Sequence, residues 1–125
     1  MYNLHAHMVF MPKYRCGVFT DEMLRRCEEI MRKVCEDFQT ELVEFNGETD
    51  HVHLLVRYPP KVALSVLVNS LKSVSARKLR SEFTGQVNRV RMHGHFWSPS
   101  YFVGSCGGAP LAVVKGYIEN QKRPD

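Results

Sequence analysis

Asp50-His51-Val52-His53-Leu54-Leu55-Val56-Arg57 reads as a strand with two unlike sides. Val52, Leu54 and Val56 share the side that would pack on helices, while His51, His53, Leu55 and Arg57 project from the other. Asn46-Gly47, a hairpin-type turn signal, joins it to an earlier strand near 40–46. Further upstream, Met23, Leu24, Cys27, Ile30, Met31, Val34, Cys35 and Phe38 recur at helical spacing and form one apolar stripe. Thr20 is placed as that helix's N-cap, with Asp21 and Glu22 in the first turn, where the dipole favours acids. Residues 2–10 alternate again, Leu4, Ala6, Met8 and Phe10 against Asn3, His5, His7 and Val9, until Pro12 ends the strand.

On the C-terminal side, Pro59-Pro60 precedes a helix over 62–82, buried through Leu64, Leu67, Val68, Leu71, Val74 and Leu79. Residues 84–95 read as a polar loop and 96–103 as a last strand. Gly104-Ser105-Cys106-Gly107-Gly108 reads as a glycine hinge, and Pro110 suits the first turn of a final helix over 109–121. The first six elements have the order of a split βαβ, ferredoxin-like α+β fold: an antiparallel sheet with two helices on one face. A single domain is expected, with a core at 1–103, the hinge at 104–108 and an additional helix at 109–121.

A chain of 125 residues, 24% charged and 44% hydrophobic, suits one core, burying about two-thirds of the unfolded surface. No apolar run approaches the ~18 residues of a membrane span, and the start lacks a basic-then-apolar signal pattern. Cys16, Cys27, Cys35 and Cys106 form no CxxC pair, so neither zinc nor redox chemistry is indicated. A reduced, cytoplasmic protein is expected. The net charge of +4 conceals an asymmetry: residues 20–50 hold four basic and ten acidic residues, residues 61–95 seven basic and only Glu82. That distribution suggests a face for a polyanion, against the plainer reading of a solvated basic helix.

All six histidines fall in His-x-His pairs: His5/His7, His51/His53 and His93/His95. Residues two apart on a strand point the same way, about 6–7 Å apart, so both imidazoles can reach one metal ion. His51/His53 is the candidate metal pair, because its strand is well defined. His5/His7 reads as surface histidine, with a supporting or DNA-contacting role as the alternative. His93/His95, among loop residues, reads as structural or phosphate-contacting. Near the C-terminus, Tyr117 and Gln121 are four apart and share a helical face. A tyrosine hydroxyl is a competent nucleophile toward phosphorus when a metal offsets developing charge. Gln121 offers a carbonyl oxygen to the metal. Read in isolation, Tyr-x-x-x-Gln is ordinary helix surface.

Asp50 to Val56, preceded by Met11-Pro12-Lys13-Tyr14-Arg15 and followed by Phe96-Trp97-Ser98-Pro99-Ser100-Tyr101 and Tyr117-Ile118-Glu119-Asn120-Gln121, resembles the single-tyrosine transposases. These belong to the His-hydrophobic-His nuclease superfamily and move small insertion sequences as single-stranded DNA. Relatives acting on repetitive extragenic palindromes share much of the pattern. The resemblance covers about residues 4–122. It implies that His51 and His53 are metal ligands and Gln121 the third. Tyr117 would attack a scissile phosphate, leaving a 5′-phosphotyrosine link and a free 3′-hydroxyl. It further implies Mg²⁺ or Mn²⁺ as cofactor, hairpin DNA as ligand, and a homodimer in which one subunit's tyrosine helix can complete the other's site. Lys13, Arg15, Lys72, Arg77 and Lys78 are the candidates for contact with the DNA backbone.

Three other functions fit parts of the pattern. A replication-initiator or relaxase-type nuclease would share the metal histidines. A metal-dependent phosphohydrolase would use water in place of Tyr117. An RNA-recognition-type module would share the sheet but needs stacking aromatics on the middle strands, where strand 50–58 instead offers His51, His53, Leu55 and Arg57.

Overall fold

A computed structural model describes residues 4–13, 19–48, 51–85 and 96–105 of the chain. The expected helix at 109–121 with Tyr117 and Gln121, the His93/His95 pair and Arg15 lie outside the described residues. Six elements follow in order: β1 (His5–Pro12), α1 (Asp21–Asp37), β2 (Glu41–Glu48), β3 (His51–Arg57), α2 (Leu64–Glu82) and β4 (Trp97–Ser105). The strands form one sheet in the order β2-β3-β1-β4, every neighbouring pair antiparallel. This is the ferredoxin-like arrangement expected from the element order.

Both helices pack on one side of the sheet. Ala6, Met8 and Phe10 of β1 and Val52, Leu54 and Val56 of β3 share a core with Met23, Cys27, Ile30 and Met31 of α1 and Leu67, Leu71 and Leu79 of α2. Each large aliphatic side chain buried there contributes about 1.5–3 kcal/mol of transfer free energy. The ends of α1 are closed as its residues suggest. Thr20 Oγ1 accepts from the Met23 amide at 3.2 Å. At the other end Gln39 takes a left-handed φ of 55°, its amide donates to the Glu36 carbonyl, and the Thr40 amide donates to the Cys35 carbonyl. Arg26 on α1 grips Glu82 on α2 through two hydrogen bonds, of 2.7 and 3.1 Å.

β4 is fastened to α2 by polar contacts as well as by packing. Trp97 Nε1 donates to Ser75 Oγ at 2.9 Å, and that hydroxyl donates to the Leu71 carbonyl at 2.6 Å. Phe10, Phe19, Phe96 and Trp97 cluster beside this bond, with the Phe96 and Trp97 ring centroids 5.0 Å apart. The β1–β4 register shifts between Phe10 and Pro12, where proline has no amide to give the ladder.

Two glycines do something other than the sequence suggests. Asn46-Gly47 is not the turn of the hairpin: both residues pair within the ladder, Asn46 with His53 and Gly47 with Val52, and pairing runs on to Glu48 opposite His51. At Gly47 α1 passes close by: a Cβ there would stand 2.4 Å from Leu24 Cδ2, so the leucine tip would have to move. Gly104 and Ser105 likewise belong to β4, so the strand runs past the expected core boundary at 103 and takes in the first two residues of the expected 104–108 hinge. Residues 106–108 lie outside the described residues.

Candidate active site

The side of the sheet turned away from α1 and α2 is assembled by strand alternation. β3 contributes His51, His53, Leu55 and Arg57, and β1 contributes His5, His7, Val9 and Met11. Cross-strand pairing sets Val9 beside His53, His7 beside Leu55, and Glu48 of β2 beside His51. On the far edge, Phe102 pairs with Val9 and Gly104 with His7.

The His51 and His53 rings lie nearly parallel, their planes 21° apart and their centroids separated by 6.0 Å. One ion can be bracketed by two imidazoles at this separation, since metal–nitrogen bonds are about 2 Å long. Both residues are nearly buried, at 7% and 8% exposure. Val9 and Leu55 form a small apolar cluster on this side, flanked by Val43 and Phe102, and the histidines sit around it. His7 is not a surface residue either: it is 5% exposed, its ring against Phe102, and burial pushes its pKa below 6.5.

Among the described residues no group of three or more His, Cys, Asp or Glu is placed to hold a metal ion. The described donor set is thus two imidazoles sharing a face, a pair that fits a divalent cation once a further ligand joins it. The two described cysteines play no part. Cys27 and Cys35 are buried in the helix layer, and burial pushes each thiol up to about 12.

The expected basic contacts separate. Lys13 is exposed just beyond β1. Arg77 and Lys78 are exposed on α2, a helix that packs on the opposite side of the sheet from His51 and His53. Lys72 is occupied within the fold: its Nζ donates to the Ser98 carbonyl at 2.9 Å and lies 4.7 Å from the centre of the Tyr101 ring. Partial burial lowers its pKa, and the two contacts tie α2 to β4. Sequence reasoning missed Phe102 and Gly104 as companions of His7. The signal was present in their spacing of two on a strand, hidden by the assignment of Gly104 to a hinge.

On β1 and β3 this face carries no Phe, Tyr or Trp among the described residues, so it lacks the stacking platform of an RNA-recognition module. A ferredoxin-like sheet with paired imidazoles on an inner strand instead offers two donors for a divalent cation. Comparison with known proteins makes this specific: residues 1–121 match the family described as Transposase IS200 like, and the chain belongs to that family. It is 33% identical over 124 residues to the transposase for insertion sequence element IS200 of Salmonella typhimurium, covering 99% of this chain and 80% of that protein. It is 30% identical over 121 residues to the ISDra2 transposase TnpA of Deinococcus radiodurans, covering 97% and 86%. A crystal structure from Deinococcus radiodurans r1, assigned as a transposase, superposes with a TM-score of 0.77 at 32% identity, over 99% of this chain and 95% of that one. A REP-associated tyrosine transposase bound to a REP hairpin shares the fold, with a TM-score of 0.65 at 11% identity over 95% of this chain and 64% of that one. No helix among the described residues is long and apolar enough to cross a membrane.

Proposed function

We propose that this transposase cleaves and rejoins single-stranded DNA through a covalent tyrosine intermediate, recognising hairpins at the ends of its element. The observation that carries the reading is the His51–His53 pair, two imidazoles held side by side at low exposure. The structural relative described with a REP hairpin supports a hairpin as the ligand class.

Tyr117 is the nucleophile. Its phenol gives up a proton and the oxygen attacks the scissile phosphorus. The bond from phosphorus to the 3′ oxygen breaks, and that oxygen takes up a proton to become a 3′-hydroxyl. The strand is left as a 5′-phosphotyrosine diester on Tyr117. Because the diester keeps the energy of the original bond, a 3′-hydroxyl can reverse the step without ATP. His51, His53 and the Gln121 carbonyl would hold a divalent cation, Mg²⁺ or Mn²⁺. When bound, it polarises the phosphate and offsets charge developing on its oxygens. The imidazole ligands suit Mn²⁺ somewhat better than Mg²⁺. The protein works as a homodimer, in which the tyrosine helix of one subunit can complete the site of its partner.

The test is incubation of the full chain with a single-stranded hairpin oligonucleotide and Mn²⁺, followed by a denaturing gel. A covalent adduct is expected, absent in Tyr117→Phe and in the His51→Ala/His53→Ala double variant. Cleavage that persists in Tyr117→Phe would assign the chemistry to water and make this a phosphohydrolase. Binding with neither cleavage nor adduct would leave a DNA-binding module.

A further inference from the structure

Gly104 stands directly opposite His7 across the β1–β4 ladder. A Cβ at position 104 would lie 3.2 Å from both Cε1 and Nε2 of His7 and 3.1 Å from Cζ of Phe102. Those approaches are closer than ordinary van der Waals contact, so the two rings fill the space that a side chain would need. The rings also pack on each other, with centroids 5.0 Å apart and planes 31° apart. His7 is held there at 5% exposure. On its other edge β1 pairs with β3: His7 stands opposite Leu55, and the next residue on its face, Val9, stands opposite His53. His7 is thus one rung from Gly104 and one diagonal step from His53. β4 ends at Ser105, and the chain beyond it leads to Tyr117.

We propose that His7 is a positioning residue for strand cleavage: by filling the notch over Gly104 against Phe102, its imidazole fixes the end of β4, and so the point from which the chain sets out toward Tyr117, relative to His51 and His53. The inference rests on the tyrosine reaction proposed above. A glycine inside a strand weakens the sheet, and here a flat ring packed over the bare backbone offsets that loss. The arrangement requires a compact ring on β1 and no side chain on β4, so the two positions are coupled.

The test compares the wild-type full chain with Gly104→Val, His7→Ala and the double variant. Three quantities are read: the single-turnover rate of adduct formation with a hairpin oligonucleotide and Mn²⁺, the hairpin Kd, and the thermal midpoint. Gly104→Val is expected to react about 100-fold more slowly, the scale of an ångström-sized misplacement, with an unchanged hairpin Kd. His7→Ala is expected to be about tenfold slower. Removing the imidazole takes away one of the two rings that crowd the valine, so the double variant should react faster than Gly104→Val and approach the His7→Ala rate, the non-additivity expected of residues in contact. If Gly104→Val does not fold, Gly104→Ala takes its place, with a smaller loss and the same rescue. Wild-type rates in Gly104→Val and Gly104→Ala would overturn the inference, as would a double variant no faster than Gly104→Val. A His7→Ala variant that binds hairpin more weakly yet reacts normally once bound would also overturn it, making His7 a DNA contact. A wild-type chain that forms no adduct would instead overturn the proposed reaction itself.

Discussion

The two sides of the sheet are built from alternate residues of the same strands, yet they answer to different demands. On the helix side Ala6, Met8, Phe10, Val52, Leu54 and Val56 are at most 1% exposed and meet the apolar stripes of α1 and α2. Hydrophobic volume is what that side needs, and swaps that conserve it are tolerated. On the other side His7, His51 and His53 are almost as deeply placed, at 5%, 7% and 8%, around Val9 and Leu55. Packing alone would favour valine at those positions, because burying an imidazole costs solvation. Polar groups kept at low exposure against that cost mark the side of the sheet on which the chemistry is expected.

Substitutions that separate the two sides sharpen the contrast. The largest effect is expected from His51→Ala/His53→Ala: adduct formation should fall by about a thousandfold or more, as when a group acting only in the transition state is lost. Its thermal midpoint should stay near that of the wild type, because the helix-side core is untouched. Leu54→Ala is the mirror experiment. Removing a fully packed side chain should cost about 2–5 kcal/mol in denaturant unfolding, while the folded fraction still forms adduct. A variant that loses activity while folded would break the separation between the sides.

Smaller effects are expected from the charged surface. Arg77→Ala/Lys78→Ala should weaken hairpin binding only modestly and reduce the slope of log affinity against log salt by about 2 if both contact phosphates. These residues lie behind the sheet, so the adduct rate from bound complex should not change. An unchanged salt slope would remove α2 from the DNA surface. The smallest effect concerns His7. Its lowered pKa means that its neutral form stabilises the fold fully above pH 6.5, and that this contribution is lost as the pH falls through that value toward the folded pKa. Thermal midpoints measured across this range should show a shallower acid-side decline in His7→Asn than in the wild type.

The helix side was the more legible in sequence. The stripe from Met23 to Phe38, the Thr20 cap and the alternation of Ala6, Met8 and Phe10 each carry a period that local sequence displays, and the ferredoxin-like order follows from them. The His51–His53 pair was legible for the same reason, since residues two apart on a strand share a face. What escaped were properties set by a neighbouring element. Gly47 signals a turn locally but pairs within the ladder, where Leu24 from α1 and Val52 on β3 crowd the place of a side chain. Gly104 signals a hinge locally but answers to His7 on another strand. Lys72 counts as free charge in a tally along the chain and is engaged by Ser98, 26 positions away.

Mass spectrometry of a protease digest of the protein–oligonucleotide adduct tests the reactive side of the sheet most directly, because it names the residue carrying the 5′-phosphate. The expected result is a nucleotide-bearing peptide containing Tyr117, absent when His51 and His53 are both alanine. A phosphate mapped to Tyr101 or any other residue, or a Tyr117 adduct that persists without the two histidines, would contradict it.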